Sequence, residues 1–171
     1  MAKGRKLRQQ RTTLLVVGEG ATEAAFLSYL RRLYCSGNKG PKVTVRNAHG
    51  KGPEHVLDFA RRAQRGVAFD YVVAFLDTDI PWTDALKKQA KQSKIELIGN
   101  TPCIEGLFLK MLGKPVPTLS AHCKKQLSVT LSYGLLAADE YEQWCSTELL
   151  TDCALTDNEL SRLLSFYSAG C

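Results

Sequence analysis

With 171 residues, 44 % of them hydrophobic, the chain is long enough for one packed domain and too apolar to remain disordered. No apolar run approaches the roughly 18 residues that a membrane-spanning helix needs, and the basic start MAKGRKLRQQR has no apolar stretch behind it; no membrane span or secretory signal is expected, and the cytoplasm is the expected compartment. The net charge of +6 is unevenly spread: residues 1–138 carry 22 Lys/Arg against 10 Asp/Glu, and residues 139–171 carry 1 against 7. A basic body attracts polyanions, nucleic acid first among them, although ordinary solubilising charge gives the same balance.

Residues 1–12, with Arg5 and Arg8 among their cations, read as a flexible basic arm suited to phosphate contacts. Thr13–Val17 (TLLVV) is a continuous apolar run of the kind found in strands buried on both faces. A helix follows over 21–34, with Ala25, Phe26, Tyr29, Leu30 and Leu33 at helical spacing. Lys42–Asn47 alternates like a strand, and Pro53 suits the first turn of a helix over 54–65. Phe69–Leu76 is the clearest strand, and it ends in Asp77-Thr78-Asp79. Thr83–Gln92 reads as a polar helix, Ile95–Ile98 as a short strand and Ile104–Leu112 as an apolar helix. Helices are expected over Lys124–Tyr133, Asp139–Leu149 and Asp157–Phe166.

Strands alternating with helices imply a three-layer α/β fold with a four-stranded, mainly parallel sheet over 13–113 and a helical extension over 114–171. The six cysteines show no CxxC pair and no zinc spacing, so they are expected to be buried or free thiols. His49, His55 and His122 form no ligand motif and are expected on the surface or in packing.

Ligands of open parallel sheets bind beyond the carboxyl ends of the strands. Two strands end there in acids, one in Gly18-Glu19-Gly20-Ala21-Thr22-Glu23 and one in Asp77-Thr78-Asp79. If those strands are neighbours, Glu19 and Asp77 share an edge, Glu23 lies one helical turn beyond Glu19, and Asp79 follows in a tight turn. Converging carboxylates repel, and Mg²⁺ or Mn²⁺ relieves the repulsion with hard oxygen ligands. Taken singly, each cluster also reads as a plain turn. The GEGAT run also reads as a phosphate-binding helix start, but it lacks the Lys and Ser/Thr of a P-loop.

GEGATEAAFLSYL is similar to the first TOPRIM motif and AFLDTD to its DxD motif. More narrowly, Glu19-Gly20-Ala21-Thr22-Glu23 with Phe26, Gly52-Pro53, Asp77-Thr78-Asp79 and Asn100-Thr101-Pro102-Cys103-Ile104-Glu105 resemble RloB-like TOPRIM proteins of bacterial defence loci and the OLD-type nucleases. The resemblance spans about residues 13–112. It implies a TOPRIM-like fold and a Mg²⁺- or Mn²⁺-dependent nuclease in anti-phage defence. Glu19, Asp77 and Asp79 would then be catalytic, with Glu19, Glu23, Asp77, Asp79 and Glu105 holding the metal. Glu105 has an alternative as an acid favoured at a helix N-terminus. Cys103 reads as a packing residue. Lys110, Lys124 and Lys125 are candidate cations for transition-state charge, and Lys51 is a candidate phosphate contact. The expected partners are nucleic acid and a protein such as a defence-system ATPase; an oligomer is compatible.

A second reading is a catalytically silent TOPRIM-like module that binds nucleic acid or a protein. It draws on Leu107 and Met111, which stand where the family carries Trp and His. A primase or topoisomerase fragment ranks last, because no tyrosine-bearing or zinc-bearing companion domain is present.

Overall fold

The computed structural model describes residues 10–132 and 134–168, so Arg5, Arg8 and most of the basic arm lie outside the described residues. The elements run in the order β1 (Thr13–Gly18), α1 (Ala21–Cys35), β2 (Lys42–Asn47), α2 (Pro53–Ala63), β3 (Tyr71–Asp77), α3 (Asp84–Gln92), β4 (Glu96–Asn100) and α4 (Ile104–Met111). Three helices follow: α5 (Ser120–Thr130), α6 (Thr147–Ala154) and α7 (Asn158–Ser168). The strands form one all-parallel sheet in the order β2-β1-β3-β4, as the β-α alternation implies. Among the described residues no helix is long and apolar enough to cross a membrane.

The strands are buried on both faces, which explains their unbroken apolar runs. Leu14, Val16, Val73 and Phe75 point to one face with α1, α4 and the last helices. Leu15, Val17, Val72, Ala74 and Leu76 point to the other, under α2 and α3. The chain steps from β1 outward to β2, then back across β1 to β3 and onward to β4. Crossovers of one hand then require α1 on one face and α2 with α3 on the other. The reversal lies between β1 and β3, and it opens a crevice beyond their carboxyl ends.

The first face is aromatic. Phe26 meets Phe75, Phe108 and Tyr141 with ring centroids 6.3, 5.3 and 5.6 Å apart. Tyrosine hydroxyls also fasten the C-terminal segment to α1. Tyr141 donates to the Thr22 carbonyl (3.2 Å), Tyr167 donates to that of Leu27 (2.9 Å), and Tyr29 donates to Cys145. Residues of the segment after 113 therefore share a core with the sheet. Helix α7 also covers the free edge of β4: the Gly99 N–H donates to Glu159 (3.0 Å), and Glu96 pairs with Arg162 (3.1 Å).

The single helix expected over Asp139–Leu149 is a 3₁₀ turn over Glu140–Gln143, followed by a restart at α6. Tyr141 is drawn into the aromatic core, and the Ser146 hydroxyl accepts from the Leu149 N–H, which caps a new helix. Helix α5 begins at Ser120 rather than Lys124. Cys103, Cys123, Cys145 and Cys153 are buried free thiols, and Cys35 is half-buried.

Candidate functional site

β1 and β3 are neighbours in parallel register, with Gly18 beside Phe75, so the chain emerges at Glu19 next to the end of β3. The Glu19 N–H donates to the Phe75 carbonyl (3.2 Å), and the Glu19 carboxylate accepts from the Asp77 N–H (3.2 Å). Asp77 in turn accepts from the Ile104 N–H (3.0 Å), the first residue of α4. Two strand ends and a helix N-terminus are thus tied together by two carboxylates, and the positive end of α4 is aimed at one of them.

Glu23 is 5 % exposed, and its carboxylate accepts from the Gly20 N–H (2.9 Å), closing the first turn of α1. Its backbone is pressed against β1. A Cβ at position 18 would lie 2.7 Å from the Glu23 Cβ and 2.9 Å from the Ala24 nitrogen, which is why glycine ends the strand. Burial raises the Glu23 pKa, and the nearby Glu105 and Glu19 add to the shift against its hydrogen bonds.

Glu105 comes from the first turn of α4. The ligand atoms of Asp77, Cys103 and Glu105 lie within 4.8 Å of one another. The Glu105 Oε2 is enclosed and has no hydrogen-bond partner. Burial, followed by the charges of Glu23, Glu19 and Glu105, pushes the Asp77 carboxyl up to about 8. Glu19 is also raised, by burial first, while the Asp77 N–H and Lys124 act the other way. Lys124, on α5, is raised by attraction to Glu105 and then Asp77, so its ammonium belongs to the field of the cluster.

Glu19, Glu23, Asp77 and Glu105 therefore converge with Lys124 beside them. Asp79 stands at the rim, exposed, its carboxylate accepting from the Ser120 Oγ (2.7 Å) at the start of α5. Lys51 lies in a loop, 49–52, whose four residues all have positive φ: His49 64°, Gly50 78°, Lys51 75° and Gly52 83°. The Gly50 N–H donates to the Glu19 carbonyl (2.7 Å), and the His55 ring nitrogen donates to that of Ala48 (3.0 Å). Left-handed conformations at His49 and Lys51 cost about 1–2 kcal/mol each and persist because these bonds hold the loop against the site. Lys110 is at the opposite end of α4, with its ammonium on Asp157 (3.0 Å) and the Thr156 carbonyl (3.2 Å). Lys125 is exposed on α5.

Sequence reasoning placed Cys103 in the core, and its thiol is buried, but it also borders Asp77 and Glu105. Burial pushes that thiol up to about 12, so it stays protonated near neutrality. Its position between β4 and α4, on the same sheet edge as the acids, is the signal that would have found it. Comparison with known proteins returned no matching family model, no matching curated protein and no matching solved structure.

Proposed function

We propose that this protein is a Mg²⁺- or Mn²⁺-dependent nuclease of the TOPRIM type, hydrolysing phosphodiester bonds of DNA or RNA. The observation that carries this reading is the convergence of Glu19, Glu23, Asp77 and Glu105 at the β1/β3 switch point, where burial first and neighbouring charge second raise the carboxyls of Glu19, Glu23 and Asp77. The donor set fits a hard divalent ion. It consists of carboxylate oxygens, and the enclosed Glu105 Oε2 without a partner carries a cost of about 1–3 kcal/mol that a cation removes. The protonated Cys103 thiol does not compete for such an ion. Asp77, Glu105 and Glu23 would hold the ion, which would supply charge stabilisation at a scissile phosphate and a more acidic water.

The chain's own groups do the rest. Glu19 is half-buried and oriented by the Asp77 N–H; it exchanges a proton on the solvent side of the cluster. Lys124 offsets anionic charge from the α5 side, and Asp79 at the rim positions the approach of the strand to be cut. The resemblance of the motifs adds the setting: the cytoplasm, anti-phage defence, and a partner such as an ATPase.

A silent binding module is the second reading. The commitment of Asp77 to the Ile104 N–H and of Asp79 to Ser120 favours it, because both carboxylates already serve the fold. The test incubates plasmid, single-stranded DNA and tRNA with Mg²⁺ or Mn²⁺ and compares wild type with Glu19→Ala and Asp77→Ala. The expected result is metal-dependent cleavage reduced at least about 100-fold in both variants. Equal cleavage by all three proteins would remove the site assignment. No cleavage by wild type, with salt-sensitive binding retained, would leave the module reading.

A further inference from the structure

We infer that the groove between α3 and the β3–β4 end of the sheet is a track for a single-stranded polynucleotide, separate from the acidic cluster and leading to it. The inference rests on the nucleic-acid reading above and names the form of the substrate. The groove has a volume of about 640 Å³, with Tyr71, Trp82 and Leu97 in its lining, Lys87 and Lys91 on α3, and Lys94 just after it. Trp82 joins it to the site, since its indole N–H donates to the Asp77 carbonyl (3.2 Å).

Lys87 and Lys91, at i and i+4, share one face of α3, and Lys94 follows in the turn that ends the helix. All three are exposed. Lys87 lies 3.9 Å from the exposed Asp84, a contact of little energetic weight, and no ion pair holds Lys91 or Lys94 among the described residues. The acids that border the groove are engaged elsewhere. Asp70 accepts from the Thr13 N–H and hydroxyl (both 2.7 Å), and Glu96 pairs with Arg162 (3.1 Å).

Tyr71 is 45 % exposed although it opens a strand otherwise buried, and its ring is propped edge-on by Phe166 at 5.6 Å. A supported, exposed aromatic on the α7 side of a groove whose α3 side carries lysines can stack an unpaired base while cations follow the backbone. A duplex keeps its bases inside and has no use for the ring, so the tyrosine selects the single strand over the double one.

The test is fluorescence anisotropy of a labelled 20-nucleotide single strand and the corresponding duplex, in EDTA so that cleavage plays no part. Lys91→Glu/Lys94→Glu is expected to weaken single-strand binding about tenfold or more, and Tyr71→Ala about fivefold or more, with the duplex unaffected by the tyrosine change. Lys88→Glu removes the same charge from the same helix outside the groove and is expected to change binding less than about twofold. Circular dichroism melting checks that each variant folds, and Tyr71→Leu replaces Tyr71→Ala if the latter unfolds. Equal losses at Lys88, unchanged binding in the Lys91/Lys94 variant, an unaffected tyrosine variant, or no single-strand binding by wild type would each overturn the track. If wild type cuts nothing yet shows the expected binding pattern, the nuclease reading falls and the groove stands. If it cuts while the groove variants bind as wild type, the reverse holds.

Discussion

The two faces of the sheet are built differently. One is covered by α1, α4 and the C-terminal helices around a cluster of rings, with three tyrosine hydroxyls bonded across elements. The other is covered by α2 and α3 alone, over a smaller aliphatic core, and its outer surface carries Arg61, Arg62, Arg65, Lys87, Lys88, Lys91 and Lys94. A helix that receives a further layer loses its polar side, as IEGLFLKM in α4 shows, whereas a helix with solvent behind it keeps one. The aromatic face holds the fold together, the basic face meets solvent and polyanions, and the acidic crevice opens at the strand ends between them.

The largest expected effect tests the first half of this contrast. Phe108→Ala should cost about 3–5 kcal/mol in urea unfolding, because the ring is fully buried and touches Phe26, Tyr141 and Trp144. A cost near 1 kcal/mol would show that the aromatic face bears no special load. Gly18→Ala sits on the seam between faces and should cost about 1–3 kcal/mol, since the added methyl meets the backbone nitrogen of Ala24. The same unfolding measurement decides it.

A pH experiment sharpens the role of the crevice. The Asp77 carboxyl is raised from 3.8 to about 8, so between those values the native state holds a proton that the unfolded chain has released. Stability from this group therefore falls as pH rises through that window. Asp77→Asn keeps an oxygen for the Ile104 N–H and removes the titration. In EDTA its melting temperature should gain on wild type as pH goes from 5 to 8, and Mg²⁺ should close the gap by stabilising wild type. A gap independent of pH and Mg²⁺ would show that neither burial nor the neighbouring acids raise the Asp77 carboxyl. The smallest effect is on the outer surface: Lys110→Ala should cost no more than about 1 kcal/mol, because its pair with Asp157 is partly exposed.

Much of this was legible along the chain. The apolar run of β1, the alternation of β2 and the Pro53 start of α2 are local signals, and the structure keeps them within a residue or two. The pairing of Glu19 with Asp77 followed from parallel strands ending on one edge. What escaped reading depended on distant partners. The break at Ser146 needs the core that captures Tyr141, Lys110 turns to an acid 47 residues later, and α5 packs on Cys123 and Leu127, too few apolar positions to mark its start.

The amino-acid sequence by itself determined the alternation of elements, the parallel sheet and the acids at its strand ends, because these rest on periodicity and on neighbours a few residues apart. The tertiary structure alone decided the strand order, which of the candidate lysines joins the cluster, and the groove beside α3. Those depend on which surfaces bury each other, and burial and charge act through space between residues that the chain keeps far apart.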